Sequence, residues 1–220
     1  MTFSAVLFDL DGTLLDTALD FETAINRVLA EENRPPLPQE DIRACVTHGS
    51  LGLITAVFNI DKAHDDFPRL QKSLLTHYKS CLTDRTALFS GLQSSLDFLA
   101  AHRVPWGIVT NKPSQYADPI VAKLLPDSRV LVCPDHVNNA KPDPEGMLLA
   151  CKQMGVEPQS TLYLGDHLRD IDAGKAAGSA TIAVGWGYVD SPNDHRTWDA
   201  DYCVDRPQDL QPLFQEIFTS

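Results

Sequence analysis

The sequence predicts an α/β protein: a three-layer, Rossmannoid parallel sheet with an all-helical cap inserted after the first strand. Three observations predict it. A short apolar run, Ala5 to Phe8, ends in Asp9-Leu10-Asp11-Gly12, the pattern of a buried strand closed by a sharp turn. Between that strand and residue 85, apolar residues recur only at helical spacing and no second strand intervenes. From residue 85 onward, short apolar runs alternate with helical stretches, the signature of parallel strands joined by helices. The expected division is residues 1–16 and 85–220 as the core domain, with 17–84 as the cap.

In chain order, Thr17 is expected to cap a helix whose Phe21, Ile25, Val28 and Leu29 share one face. Asn33-Arg34-Pro35-Pro36-Leu37-Pro38 stops it. Further helices are expected over 39–46, 50–58 and 66–82, and Arg85 to Gly91 returns the chain to the first layer. Leu92, Leu96 and Leu99 mark the next helix, Trp106 to Val109 a strand, and Ser114 the cap of a helix carrying Ile120, Val121 and Leu124. Val130 to Val132 is a short strand. Asp143-Pro144 reads as a cap followed by proline at the first helical position, with Met147, Leu148, Cys151 and Met154 along that helix. Thr161 to Leu164 is a strand, 168–177 a helix ended by Gly178, and Ala180 to Val184 a strand. Tyr202 to Val204 is a further short strand, and Leu210, Leu213, Phe214 and Ile217 stripe a final helix.

The bulk composition narrows the function. With 18 basic against 30 acidic residues, the formal charge is −12, which argues against nucleic acid or an anionic membrane as partner. A small anionic substrate is still compatible, because a bound metal reverses the local field. The five cysteines, Cys45, Cys81, Cys133, Cys151 and Cys203, are odd in number, widely spaced and form no CxxC pair. They read as core fillers of a reduced, cytoplasmic protein rather than a zinc site. The N-terminus lacks the basic and apolar regions of a signal peptide, and no apolar run is long enough to span a bilayer. A monomer or homodimer acting on a small molecule is expected.

The chemistry concentrates at strand ends. Asp9 and Asp11 sit two residues apart, and alternate side chains of extended backbone share a face. Two like charges so close need a cation or a proton. In open α/β sheets ligands bind at the C-terminal strand edge, so a hard metal such as Mg²⁺ is expected there. A plain surface turn is the competing reading of Asp11-Gly12. Three more polar stretches punctuate the chain: Val109-Thr110-Asn111-Lys112-Pro113, Lys141-Pro142-Asp143-Pro144, and Leu164-Gly165-Asp166-His167-Leu168-Arg169-Asp170.

The order and spacing of these four motifs resemble the haloacid dehalogenase superfamily, in its phosphatase branch with a helical cap after the first strand. The resemblance covers essentially the whole chain. Residues 130–151, together with Trp106-Gly-Ile-Val-Thr-Asn-Lys-Pro113, are most similar to the bacterial phosphatases acting on N-acetylmuramic acid 6-phosphate in cell-wall recycling, and closely resemble phosphoglycolate phosphatases. The resemblance implies a Mg²⁺-dependent phosphomonoesterase. Asp9 is then the nucleophile and Asp11 the general acid and base. Asp166, with Asp9 and the Asp11 carbonyl oxygen, holds the metal. Thr110, the Asn111 amide, Lys141 and the Gly12-Thr13 turn bind phosphate. Asp170 orients Lys141 or a water held by the metal; it also reads as a helix N-terminal carboxylate favoured by the dipole, and both can hold. A sugar phosphomutase uses the same aspartates, and a phospho-ligand sensor would have lost one of Asp9, Asp11 or Lys141.

A formal count supports the set. Asp9, Asp11, Asp166 and Asp170 against Mg²⁺ and Lys141 leave one negative charge, which protonation of Asp11 would remove. His167 replaces an acidic residue frequent in relatives and is expected to face solvent rather than the metal. In the cap, Arg43, His48, Gly49 and Ser50 lie near a helix break, where the resemblance implies a substrate-facing loop. Arg43 either meets a substrate carboxylate such as the lactyl group of muramic acid or is a solvated helix charge. Asp135 and His136 either line the cleft or are ordinary loop residues. Trp186 and Tyr188 either wall the leaving-group pocket or belong to the core.

Overall fold

The computed structural model describes residues 3–47, 49–188 and 194–219. Two compact units result, one formed by the chain up to Leu15 together with everything from Leu88 on, the other by Asp16–Ala87. The first unit holds a six-stranded sheet of β1 (Ala5–Phe8), β4 (Trp106–Val109), β5 (Leu131–Val132), β6 (Thr161–Gly165), β7 (Ala180–Val184) and β8 (Tyr202–Val204). Its order is β5-β4-β1-β6-β7-β8, parallel throughout. Helices α5 (Gln93–Ala101), α6 (Ser114–Leu124), α7 (Glu145–Met154), α8 (Leu168–Ala177) and α9 (Leu210–Thr219) follow or join these strands.

The chain proceeds from β1 outward to β4 and β5 on one side, then returns to β6 on the other. That reversal makes the C-terminal end of β1 the switch point of the sheet, where a crevice must open. β1 is buried along its whole length, which explains its uninterrupted apolar sequence. Leu7, Val109, Val132, Met147, Cys151, Tyr163 and Ala173 form one continuous core cluster beside it. Cys81, Cys133 and Cys151 are buried, and the five cysteines are free thiols.

The second unit is helical: α1 (Ala18–Glu31), α2 (Gln39–Val46), α3 (Gly49–Phe58) and α4 (Phe67–Ser80). Phe21, Ala24, Ile25, Val28 and Leu29 of α1 are buried, and Phe21 stacks on Tyr78 of α4 with ring centroids 3.9 Å apart. Asp20, itself buried, ties the unit shut. Its carboxylate accepts from the amides of Thr83 (3.0 Å), Arg85 (2.8 Å) and Thr86 (3.1 Å) and from the Thr86 hydroxyl (2.6 Å).

Local details depart from the sequence reading. The two passages between the units, β2 (Leu15–Asp16) and β3 (Ala87–Leu88), pair as a ribbon too short for any periodicity to announce. Thr17 precedes α1 in helical conformation and its side chain makes no capping bond. Ser114 is the first residue of α6 rather than its cap, and its amide donates to Asp135 (2.9 Å). Pro144 stands just before α7 rather than inside it, while Asp143 accepts from the Glu145 amide (2.9 Å).

Candidate active site

Asp9 follows β1 directly. Its amide donates to the Leu164 carbonyl of β6 (2.8 Å), so the ladder continues past Phe8 and fixes Asp9 at the sheet edge. Its side chain meets Lys141, whose Nζ lies 2.8 Å from Asp9 Oδ1 and 2.6 Å from Asp170 Oδ1. The same Nζ reaches Tyr163 Oη at 2.8 Å and the Val109 carbonyl at 3.0 Å. The Tyr163 hydroxyl in turn donates to Val109 O (2.9 Å). The Lys141 and Asp170 side chains are 2% and 0% exposed, so their pairing is screened little by water.

Asp166 follows β6. Its Oδ1 accepts from the Thr13 hydroxyl (3.1 Å) and its Oδ2 from the Tyr188 amide (2.7 Å). Gly12, Gly165 and Gly187 make room for these carboxylates. Gly12 has φ +82°, and a Cβ there would lie 2.1 Å from Asp166 Oδ2. A Cβ at Gly165 would lie 2.2 Å from Asp170 Cβ. One carboxylate oxygen each from Asp9, Asp166 and Asp170 fall within 4.8 Å of one another. All three are buried.

Three buried carboxylates facing one ammonium are short of positive charge. Burial, with Asp170 and Asp11 nearby and Lys141 opposing, pushes the Asp9 carboxyl up to about 6. Burial and the charges of Asp9 and Asp170 push Asp166 up to about 8. For Lys141, burial works against the ammonium, but Asp170 and Asp9 outweigh it and raise its pKa. An all-oxygen donor set with surplus negative charge fits a hard divalent cation such as Mg²⁺. Asp170, expected only to orient other groups, thus lies among the donors, while the Asp11 side chain does not.

This electrostatic arrangement has a measurable consequence. Metal must displace protons from these carboxyls, so Mg²⁺ affinity should strengthen as pH rises from about 6 to about 8. Calorimetry in buffers of different ionisation enthalpy should detect protons released on binding. The metal-free fold holds protons that the unfolded chain, with carboxyls near 3.8, would already have lost. Its stability should therefore decline as pH climbs toward 8, and Mg²⁺ should restore it. Affinity that is flat across this window would mean that Asp166 is ionised without metal.

The remaining expected residues divide. Asp11 Oδ1 pairs with Lys112 Nζ at 2.8 Å. The two carboxylates of the first motif thus face different lysines, because the chain turns at Leu10 instead of staying extended. Thr110 is buried and its hydroxyl accepts from the Lys112 amide (3.1 Å), keeping its proton as a donor. The Asn111 side chain brackets the Lys141 backbone: Nδ2 donates to Lys141 O (3.0 Å) and Oδ1 accepts from Lys141 N (3.1 Å). Nδ2 carries a second N–H, so a phosphate contact from Asn111 can come from that hydrogen or from its main chain. The His167 ring is not among the clustered metal-capable groups, yet the residue does not simply face solvent. Its Nδ1 accepts from the Arg169 amide (3.1 Å) and its amide donates to Asp170 Oδ2 (3.1 Å), a reciprocal cap at the start of α8.

Asp135 accepts from the Ser114 amide at the start of α6, and His136 Nδ1 from the nearby Cys133 amide. Trp186 Nε1 donates to Thr13 O (3.0 Å), and Tyr188 is buried beside Asp166. In the helical unit, Arg43 Nη1 contacts both Asp16 carboxylate oxygens, at 2.7 and 2.9 Å. A ligand carboxylate would compete with Asp16 for it. Ser50 Oγ accepts from Gln71 (3.2 Å), Gly49 has φ +60°, and His48 lies outside the described residues.

Sequence reasoning gave no role to Lys112, Tyr163 or the Tyr188 amide. Lys112 stands inside a quoted motif, but nothing in a sequence separates a buried lysine from an exposed one. Tyr163 reads as an ordinary strand aromatic. With Lys112 included, four carboxylates against two lysines and a divalent cation carry no net charge, so neutrality does not require a proton on Asp11.

The sheet and the carboxylate cluster at its switch point define a class that the comparisons name. Residues 6–184 match the model of the haloacid dehalogenase-like hydrolases, and the chain belongs to that family. It is 40% identical over 215 residues to an N-acetylmuramic acid 6-phosphate phosphatase of Pseudomonas putida, covering 97% of this chain and 96% of the relative. It is 37% identical to a phosphoglycolate phosphatase of Xanthomonas campestris pv. campestris, covering 94% of each. The crystal structure of a predicted phosphoglycolate phosphatase from Haemophilus somnus shares the fold, with TM-score 0.82, 24% identity and coverage of 98% and 99%.

Proposed function

We propose that this protein is a Mg²⁺-dependent phosphomonoesterase that hydrolyses N-acetylmuramic acid 6-phosphate in peptidoglycan recycling, through a phosphoaspartyl intermediate. The observation that carries the chemistry is Lys141 Nζ bridging Asp9 and Asp170 at the sheet edge, with the Asp166 carboxylate in reach. The relatives named for that sugar phosphate support the substrate, since 40% identity extends over nearly the whole chain.

In this reading Asp9, Asp166 and Asp170 hold the metal, with the Asp11 carbonyl oxygen as a further ligand. The metal supplies electrostatic stabilisation of the transferring phosphoryl group. An Asp9 carboxylate oxygen attacks phosphorus while the ester P–O bond breaks, and Asp11 gives its proton to the departing alkoxide. Asp11 then takes a proton from water, whose oxygen attacks phosphorus and returns Asp9 as carboxylate. Lys141 keeps Asp9 ionised and oriented. Asn111 fixes the Lys141 backbone, and Thr110 and the Thr13 amide donate to phosphate oxygens; the Gly12 amide, expected to do so, instead donates to Leu15 O (3.0 Å) within the turn. The helical unit, residues 17–84 in the sequence reading, would select the substrate, with Arg43, Gly49 and Ser50 as the residues that the resemblance assigns to the sugar. Among the described residues no helix is long and apolar enough to cross a membrane. We place the enzyme in the cytoplasm as a monomer or homodimer.

A turnover screen of phosphorylated sugars and small phospho-acids with Mg²⁺ tests the reading. N-acetylmuramic acid 6-phosphate should give the highest kcat/KM and release inorganic phosphate. The highest value for 2-phosphoglycolate would move the assignment to that substrate. An isomeric sugar phosphate in the product mass spectrum would make the protein a mutase, and no turnover at all would leave a sensor.

A further inference from the structure

Tyr163 is fully buried in the middle of β6, in register with Leu7 of β1. Its ring lies against α8 where Gly174 leaves room: a Cβ there would lie 3.2 Å from Tyr163 Cδ1. The hydroxyl meets Lys141 Nζ (2.8 Å), Val109 O (2.9 Å) and Asp170 Oδ1 (3.3 Å). Burial, with the charges of Asp170 and Asp9, raises its pKa well above the usual range, so the hydroxyl keeps its proton.

The hydrogens around Lys141 give this hydroxyl a task. An ammonium has three N–H donors. Four acceptors lie within 3.0 Å of Nζ: Asp9 Oδ1, Asp170 Oδ1, Tyr163 Oη and Val109 O. Two hydrogens go to the carboxylates, because bonds between charged groups are the stronger ones. The third is left between Tyr163 Oη and Val109 O. A buried carbonyl stripped of its donor is costly, so Val109 O alone would hold that hydrogen in place. The Tyr163 hydroxyl donates to the same carbonyl at 2.9 Å, against 3.0 Å from Lys141. Val109 O therefore stays satisfied when Lys141 turns its third hydrogen elsewhere. A phosphoryl group under attack by Asp9 brings anionic oxygens beside that ammonium, which stands 2.8 Å from Asp9 Oδ1.

We propose that Tyr163 is a positioning residue for phosphoryl transfer: by serving the Val109 carbonyl in place of Lys141, its hydroxyl releases the third Lys141 N–H to a phosphoryl oxygen, while the other two stay on Asp9 and Asp170. The proposal rests on the phosphatase reading and adds to it a residue that touches neither substrate nor metal.

Tyr163→Phe removes the hydroxyl and keeps the ring, whose centroid lies 5.6 Å from Lys141 Nζ. Calorimetry of inorganic phosphate binding to the Mg²⁺-loaded protein reads the released donor whatever the natural ester is. A hydrogen bond from a charged donor corresponds to about 10- to 100-fold in affinity. Tyr163→Phe should weaken phosphate binding by about 10-fold or more, and kcat/KM for N-acetylmuramic acid 6-phosphate should fall with it. Mg²⁺ affinity should hold, because Asp9 and Asp170 keep their Lys141 hydrogens. In Lys141→Met loaded with Mg²⁺, adding Tyr163→Phe should cost no further phosphate affinity, since no ammonium remains to be released. If the Phe variant is insoluble, Tyr163→Met, which also lacks the hydroxyl, carries the comparison.

Undiminished phosphate affinity in Tyr163→Phe would overturn the proposal and leave the phosphatase reading standing. Equal losses of phosphate and Mg²⁺ affinity would also overturn it, since the hydroxyl would then merely support Asp170. A further loss in the Lys141→Met background would do the same. A wild type that hydrolyses no phosphomonoester would remove the phosphatase reading and the proposal together.

Discussion

Asp9→Asn should reduce turnover by about 10⁴-fold or more while leaving the protein folded. An amide oxygen accepts the hydrogen bond from Lys141 as the carboxylate does, so the 2.8 Å contact survives the change. What it lacks is the charge and nucleophilicity needed to attack phosphorus. The fold should not suffer, because burial and the neighbouring carboxylates already push the Asp9 carboxyl up to about 6. Above that pH, the substitution relieves repulsion with Asp170 and Asp11. The melting temperature of the metal-free variant at pH 8 should therefore equal or exceed that of the wild type. Mg²⁺ affinity should weaken, since one of three clustered carboxylates has gone. A folded Asp9→Asn protein retaining a tenth or more of wild-type kcat would remove Asp9 as nucleophile.

Lys141→Met should be the most destabilising single change at this site. It deletes the ammonium that lies between Asp9 and Asp170, in surroundings where neither carboxylate reaches bulk water. Breaking a buried pair from one side costs about 3–5 kcal/mol, a large share of a typical domain's stability. The loss should be conditional on charge. Lys141 holds the Asp9 carboxyl down, so without it Asp9 should take up a proton at a higher pH than in the wild type, and stability should partly return as pH falls. Mg²⁺ should rescue it at pH 8 by supplying the missing positive charge. Lys141→Arg should not rescue it fully, because a planar guanidinium cannot occupy the point where four acceptors converge on Nζ. Thermal unfolding of both variants across pH, with and without Mg²⁺, decides the matter. A metal-free Lys141→Met protein as stable as the wild type at pH 8 would show that the cluster is protonated at rest.

The legible part of this protein is the part governed by local rules. The uninterrupted apolar run of β1, the strand–helix alternation after residue 85 and the helical spacing of residues 18–80 each leave a periodic trace that burial on one or both faces requires. Gly12 was legible as a turn former, and its positive φ bears that out. Illegible were features decided by a partner distant in sequence. Thr17 and Ser114 have the chemistry of caps, yet Ser114 finds Asp135, and neither performs the capping expected of it. His167 looked like a solvent-facing replacement for an acid, but its ring closes the first turn of α8 through Arg169 N.

The sequence by itself determined which groups were available: four aspartates, two lysines, a threonine and an asparagine, each near a strand end or a helix start. Tertiary structure alone decided how they pair. It set Asp9 against Lys141 and Asp11 against Lys112, drew Asp170 in among the carboxylates and turned the Asn111 side chain onto the Lys141 backbone. The physical reason is separation along the chain. Asp9 and Lys141 are 132 residues apart, and no local propensity encodes their 2.8 Å contact. That contact exists because β1 lies between β4 and β6, and the desolvation of buried charge leaves few arrangements that such a sheet can tolerate.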